Sequence, residues 1–388
     1  MAATSQTPDQ QPEALIPVEL HPIQKKKNRL VLIFGVILLA VLIGVAYLLM
    51  VRSELRSIHL PAIERRIAEV FPAPTETPFP FMELTMPYLR SRKYDSNLGD
   101  LELISENESY SSYLTSYESD GYRVNGMLMI PKGPIPRNPN GVAGFPAVVF
   151  VHGYIPPAQY RTLVNYTSYV DFLARRGLVV FKIDLRGHDQ SEGEPGGSYY
   201  SGDYVIDTLN AVAAVKILKD PSTGLGPIVN TGRIGLWGHS MAGNVVFRSF
   251  VAMPEIHKVV IWAGAVYTYE DFSQYRISDA SYQPPPADSQ SRRKRDELFN
   301  LYGQFSTESE FWRKVPATNY LDGITGSVEV HHAADDPVVS IGYSRNLMSV
   351  LDQTGIPHEL FEYQSGGHNL TGPSFTQAMQ RSADFLKE

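Results

Sequence analysis

The chain has 388 residues, more than one small domain needs, and with 43% apolar and 19% charged residues its composition is that of a globular protein. A net charge of −7 gives no electrostatic basis for nucleic-acid binding. The absence of cysteine excludes disulfides, thiolate catalysis and Cys-ligated zinc.

Residues 1–29 read as a short polar tail that ends in the basic cluster Lys25-Lys-Lys-Asn-Arg29. Leu30 to Met50 carries no charge. About 21 residues at 1.5 Å each make a helix of roughly 32 Å, enough to cross a bilayer core and longer than the apolar part of a cleaved signal peptide. Residues 30–51 are therefore expected to be a single transmembrane helix. The basic cluster favours an N-terminus in the cytoplasm and a C-terminal part on the extracytoplasmic side, with Arg52, Arg56, Arg65 and Arg66 weighing against that orientation. Residues 52–95 read as a juxtamembrane stretch, with an amphipathic helix over 55–70 and a Pro-rich linker at Phe71-Pro-Ala-Pro-Thr-Glu-Thr-Pro-Phe-Pro80.

From residue 96 to 388 the pattern is that of one domain. Tyr110–Tyr117 and Tyr122–Ile130, separated by Ser-Asp-Gly, predict a hairpin. Apolar runs at 147–151, 178–183, 234–237, 259–263, 328–331 and 359–363 predict strands, and helical spacing is found at 160–176, 204–218, 244–252, 341–351 and 374–386. Strands that alternate with helices and are apolar on both faces make an α/β protein, with a mostly parallel sheet covered by helices on both sides.

The chemistry is expected at Gly238-His-Ser240-Met-Ala-Gly243. A strand that turns sharply into a helix through Gly-x-Ser-x-small-Gly is a nucleophile elbow: the strained turn holds the Ser240 hydroxyl clear of the backbone and aims the Met241 N–H at a developing oxyanion. The usual pattern has Gly two residues after the serine, where this chain has Ala242. A serine needs a base, and the base needs a carboxylate. Both follow at the carboxyl ends of later strands, as Asp335 within His332-Ala-Ala-Asp-Asp-Pro-Val338 and as His368 after Gly366-Gly367. Asp336 is the alternative acid. His152-Gly153-Tyr154, after the 147–151 strand, supplies the second oxyanion donor through Tyr154, by its N–H or its hydroxyl. Arg186, in Asp184-Leu-Arg-Gly187, is expected to brace its loop by ion pairing. His152, His188 and His239 read as structural.

Together these residues resemble the α/β-hydrolase superfamily, and within it the catalytic domain of the prolyl oligopeptidase and dipeptidyl peptidase family. The resemblance covers about residues 145–388 and rests on His152-Gly153, Asp184-x-Arg-Gly187, Gly238-His-Ser-Met-Ala-Gly243, Asp335-Asp-x-Val338 and His368. It implies an α/β-hydrolase fold and a serine hydrolase that cleaves an ester or peptide/amide bond through an acyl-enzyme, with no metal or organic cofactor. It also implies a small ester or peptide substrate; membrane lipid is expected as a partner through the N-terminal anchor, and the basic run Arg292-Arg-Lys-Arg295 reads as a solvated face, with contact to anionic lipid headgroups as the alternative. The family's peptidases carry a β-propeller before this domain, and residues 52–144 are too few for one, which leaves carboxylesterase activity as the alternative. A non-catalytic hydrolase-fold binding module is the remaining reading. Residues 264–319, with Pro284-Pro-Pro286 and Arg292-Arg-Lys-Arg295, form a long insertion in the position of a lid.

Overall fold

The computed structural model describes residues 79–137, 141–224, 226–268 and 271–388. The expected tail, transmembrane helix and juxtamembrane helix, and nearly all of the Pro-rich spacer, lie outside the described residues. Among the described residues no helix is long and apolar enough to cross a membrane.

Pro78–Glu388 forms one compact unit around a nine-stranded sheet of order β1-β2-β3-β5-β4-β6-β7-β8-β9. The first three strands are β1 (Glu102–Glu106), β2 (Tyr110–Ser119) and β3 (Tyr122–Pro131). They are antiparallel, and β2 turns into β3 through Asp120 and Gly121, both at positive φ as a tight hairpin requires. β3 then runs antiparallel to β5 (Val179–Ile183). From there the sheet is parallel: β4 (Phe145–Val151), β6 (Val229–His239), β7 (Lys258–Trp262), β8 (Ser327–Ala333) and β9 (His358–Tyr363). β4 is buried along its whole length, as a strand covered on both faces must be. β1, exposed at four of its five residues, is an edge strand with no apolar signature.

Helices α2 (Thr167–Ala174) and α9 (Pro373–Lys387) cover one face of the sheet, over Phe150, Trp237 and Trp262. The other face carries α1 (Met86–Ser91), α3 (Asp203–Lys216), α4 (Met241–Ala252) and α8 (Gly342–Leu351). The helix expected over 160–176 is shortened to α2. Tyr166, in the left-handed region at φ 62°, stops a helix from running through it, and the turns before it are held by buried Lys182, whose Nζ donates to the carbonyls of Thr162 and Asn165.

The compact unit begins at Pro78, earlier than the boundary at residue 96 read from composition. Leu84, Met86 and Leu89 are fully buried, Met86 N–H donates to Lys314 O at 2.8 Å, and Arg248 Nη2 donates to Leu84 O at 2.5 Å. The 264–319 insertion folds into α5 (Asp271–Gln274), α6 (Gln290–Tyr302), α7 (Glu310–Arg313) and a 3-10 turn at Ala317–Asn319. Its Leu298, Phe311, Trp312 and Val315 form a cluster with Leu84, so the N-terminal segment and the insertion anchor each other.

If residues 79–91 are part of the core, Met86→Ala should cost about 2–5 kcal/mol of unfolding free energy in a urea titration. A loss below about 0.5 kcal/mol, as for a surface linker, would contradict this.

Candidate active site

Chain order reverses between β4 and β6: β5 lies on one side of β4, and the chain then crosses to the other. The carboxyl ends of strands at such a switch point open a crevice, and Ser240 and Tyr154 lie there, after β6 and β4. Ser240 has φ 54° and ψ −118°, a backbone state worth on the order of 1–3 kcal/mol of strain that the surroundings must impose. They do so by contact. Ser240 N–H donates to Trp262 O at 2.9 Å and Gly243 N–H to Ser240 O at 2.9 Å. A Cβ on Gly238 would lie 2.6 Å from Ala242 O, and one on Gly243 would lie 2.6 Å from the Cα of Gly264 at the end of β7. In this elbow the glycine that permits close packing is therefore Gly243, and buried Ala242 fits beside it.

His368 follows β9, and its Nδ1 bonds Asp336 Oδ2 at 2.8 Å. Its Nε2 makes no hydrogen bond to any described residue. The partner carboxylate is thus Asp336 and not Asp335, which corrects the sequence reading. Asp335 points at the loop backbone, where it accepts the Gly367 N–H at 2.9 Å and the Gly366 N–H at 3.4 Å, and so shapes the turn that presents His368. The Asp336 side chain is buried and densely bonded. His332 Nε2 also reaches its Oδ2, at 3.1 Å, and Oδ1 accepts the amides of Val338 and Val339 at 2.8 and 3.0 Å. Burial alone would raise this carboxyl. The hydrogen bonds from His332 and His368, the charge of His368 and the Val338 amide outweigh burial and hold it well below the usual carboxylate range. His332 Nδ1 accepts from Ser344 Oγ at 2.7 Å, which leaves its Nε2–H to donate. Among the described residues no group of three or more His, Cys, Asp or Glu could hold a metal ion.

A second network, absent from the sequence reading, ties the elbow to the loops on either side. Gly153 N–H donates to Tyr166 Oη at 3.0 Å, Tyr166 Oη donates to His239 Nδ1 at 2.6 Å, and His239 Nε2 donates to His368 O at 3.0 Å. Burial lowers His239 to about 3, so it stays neutral and this tautomer is consistent with every contact. On the other side of the elbow, Ser198 Oγ donates to Met241 O at 3.0 Å, and Arg186 is clamped by Asp207 at 2.6 Å and Asp203 at 3.2 Å, which braces its loop against α3.

Ser240, Met241 and Tyr154 border one cavity of about 1220 Å3. The N–H groups of Met241 and Tyr154 enter none of the turn and loop hydrogen bonds among the described residues. The Tyr154 hydroxyl is occupied: it donates to Gln283 O at 3.2 Å and accepts the Gln283 N–H at 2.8 Å. That removes the hydroxyl as an oxyanion donor and leaves the amide.

Known proteins share this fold. A family model described as Hydrolase_4: Serine aminopeptidase, S33 matches residues 145–282. The acetyl xylan esterase 1 of a Thermoanaerobacterium species is 18% identical with TM-score 0.50, over 77% of this chain and 90% of that one. The acylaminoacyl peptidase of Pyrococcus horikoshii is 18% identical with TM-score 0.51, over 72% of this chain and 42% of that one. A puromycin-hydrolysing peptidase of Mycobacterium tuberculosis is 18% identical with TM-score 0.50, over 72% of this chain and 40% of that one. The chain is an α/β-hydrolase. It is of the serine-hydrolase type and resembles the prolyl oligopeptidase catalytic domain.

Two expectations follow for this hydrolase. Asp336→Asn should lower kcat about 10⁴-fold, because the amide favours the wrong imidazole tautomer, whereas Asp335→Asn should cost far less; equal losses in steady-state assays would contradict the assignment. The second concerns acid. Burial lowers His152, His188 and His239 to about 3, 4 and 3, so their contribution to stability is complete above about pH 6.5 and fades as pH falls. Asp184, raised to about 6 by burial, acts oppositely: its contribution is present at low pH and lost as pH rises through about 6. Unfolding near pH 5 then takes up about two net protons, and stability should fall by about 3 kcal/mol per pH unit there. Urea midpoints that do not change between pH 7 and pH 5 would contradict it.

Proposed function

We propose that this chain cleaves a carboxylic ester through a Ser240–His368–Asp336 triad. Ser240 Oγ attacks the carbonyl while His368 Nε2 takes its proton. Asp336 holds the ring and stabilises the imidazolium. The N–H groups of Met241 and Tyr154 receive the negative charge of the tetrahedral oxygen. His368 returns the proton to the leaving oxygen, and water, activated by the same ring, hydrolyses the acyl-enzyme. The observation that carries this is the His368 Nδ1–Asp336 bond of 2.8 Å, with Nε2 unengaged, on a loop tied to the residue before Ser240. A complete acid, base and strained serine argue against a non-catalytic module.

Ester chemistry is favoured over amide chemistry by two features. The chain spans nearly all of an acetyl xylan esterase but less than half of the acylaminoacyl peptidase. Residues 102–131, where a propeller would have to fit, are built into the hydrolase sheet itself. Amide cleavage is the second reading, supported by the serine aminopeptidase description of the matching family. In the same proposal Leu30–Met50 anchors the chain in a membrane with the hydrolase unit on the extracytoplasmic side, and the 264–319 insertion is the lid.

A fluorophosphonate should label the wild type and not Ser240→Ala; equal labelling would refute the proposal. p-Nitrophenyl esters should be turned over faster than alanyl or prolyl p-nitroanilides, and the reverse order would favour the peptidase reading. The full chain should stay with membranes in alkaline carbonate while a chain starting at Pro78 is released, and release of both would remove the anchor.

A further inference from the structure

The basic run of α6 does not behave as one solvated face. Arg292 Nε lies 3.3 Å from Asp296, and Arg293 donates to the Asp288 carbonyl. Lys294 and Arg295 instead border the cavity that contains Ser240. Arg295 is half-buried, with its guanidinium carbon 4.8 Å from the centre of the Tyr200 ring and 5.8 Å from that of Phe299. Among the described residues neither Lys294 nor Arg295 has a carboxylate partner. The remaining cation of the wall is ion-paired, and two of its acids accept backbone amides. Arg186 is neutralised by Asp207 and Asp203, Glu194 accepts the Ser291 N–H at 3.2 Å, and Asp279 accepts the Ser281 N–H at 2.8 Å. Among the described residues Glu83, Glu194 and Asp279 have no cationic partner, and Lys294 and Arg295 are the two cations of the wall without a carboxylate partner.

The aromatic ledge under Arg295 is fixed relative to the nucleophile. Tyr200 follows two residues after Ser198, whose hydroxyl bonds Met241 O and whose carbonyl accepts Asn244 Nδ2 at 2.9 Å. Tyr200 thus lies on the loop that Ser198 ties to the elbow, and Arg295 and Ser240 border the same cavity. A guanidinium over an aromatic ring, without a carboxylate partner, has N–H groups left to bind the two oxygens of a carboxylate.

We infer that Arg295, supported by Lys294, is an anion subsite of the Ser240 cavity, and that the substrates carry a carboxylate remote from the scissile carbonyl. The inference rests on the serine-hydrolase reading and adds a substrate class to it.

The test uses the full chain and p-nitrophenyl monoesters of linear dicarboxylic acids of graded length, each beside its methyl-capped neutral twin. A second arm places the carboxylate on the phenol of a simple acetyl ester, which distinguishes an anion in the acyl half from one in the leaving half. The readout is the ratio of KM for the neutral ester to KM for the charged one. In one arm the wild type should show a ratio of about ten or more. Arg295→Met, which keeps aliphatic packing on Tyr200, should bring it close to one, and Arg295→Lys should lie between. A wild-type ratio near one in both arms, or a ratio unmoved in Arg295→Met, overturns the subsite while turnover of the neutral ester leaves the serine-hydrolase reading standing. Turnover of neither ester by the wild type, with no fluorophosphonate labelling, removes both. Should Arg295→Met lose its folded circular dichroism spectrum, Arg295→Lys and the salt dependence of the wild-type ratio decide: a ratio that neither changes overturns the subsite.

Discussion

Two imidazoles meet one carboxylate oxygen. Oδ2 of Asp336 receives both His368 and His332, and its Oδ1 receives two backbone amides. A buried carboxylate with no partners would cost several kcal/mol and would take up a proton instead. Here four donors keep it ionised. The cost of burying that charge is offset by bonds that also fix the His368 ring: the imidazole takes the orientation in which Nδ1 donates and Nε2 remains open. His332 carries the constraint further back, because its own tautomer is set by Ser344 on α8. Helix, strand end and base loop therefore meet at one charge.

The serine side is built by backbone contact instead of charge. The elbow is held strained by the approach of Gly243 to Gly264 and by the Ser240–Trp262 hydrogen bond across neighbouring parallel strands. The Tyr166–His239 chain joins the two halves. Buried and neutral, His239 links the loop after β4 to the backbone of His368. These polar contacts are short-range, so small shifts of one loop should be felt by the others, and the donors and the base are held in a common frame before substrate arrives.

Most of the fold was legible because a strand buried on both faces leaves a largely apolar run, and such runs marked β4 to β7, while β8 and β9, interrupted by Glu329, Glu359 and Glu362, were marked by their position between helical segments. What escaped had a physical reason in each case. β1 is an exposed edge with no apolar pattern. The 160–166 segment has helical spacing, but Tyr166 at positive φ breaks the helix, and Lys182 holds the carbonyls of Thr162 and Asn165 in the turns before it. Residues 79–91 follow a Pro-rich stretch, and their burial depends on an insertion more than 200 residues further along the chain. In the candidate site, the placement of Ser240 and His368 after their strands was legible from strand–loop position. The acid was not, since Asp335-Asp-Pro-Val-Val339 allows two registers with the same Asp-x-x-Val spacing. The useful signal was His332, four residues before Asp336, but its meaning appears only once β8 and β9 are paired. Tyr166 had no signal, because its role arises from three loops converging.

The central claim is the His368–Asp336 hydrogen bond, and proton NMR of the resting enzyme tests it most directly. The Nδ1 proton of an imidazole bonded to a buried carboxylate is exchange-protected and resonates far downfield of the amide envelope. Such a signal should be present in the wild type, be lost in His368→Ala and Asp336→Asn, and persist in Asp335→Asn. A signal that survives Asp336→Asn and disappears in Asp335→Asn would contradict the account.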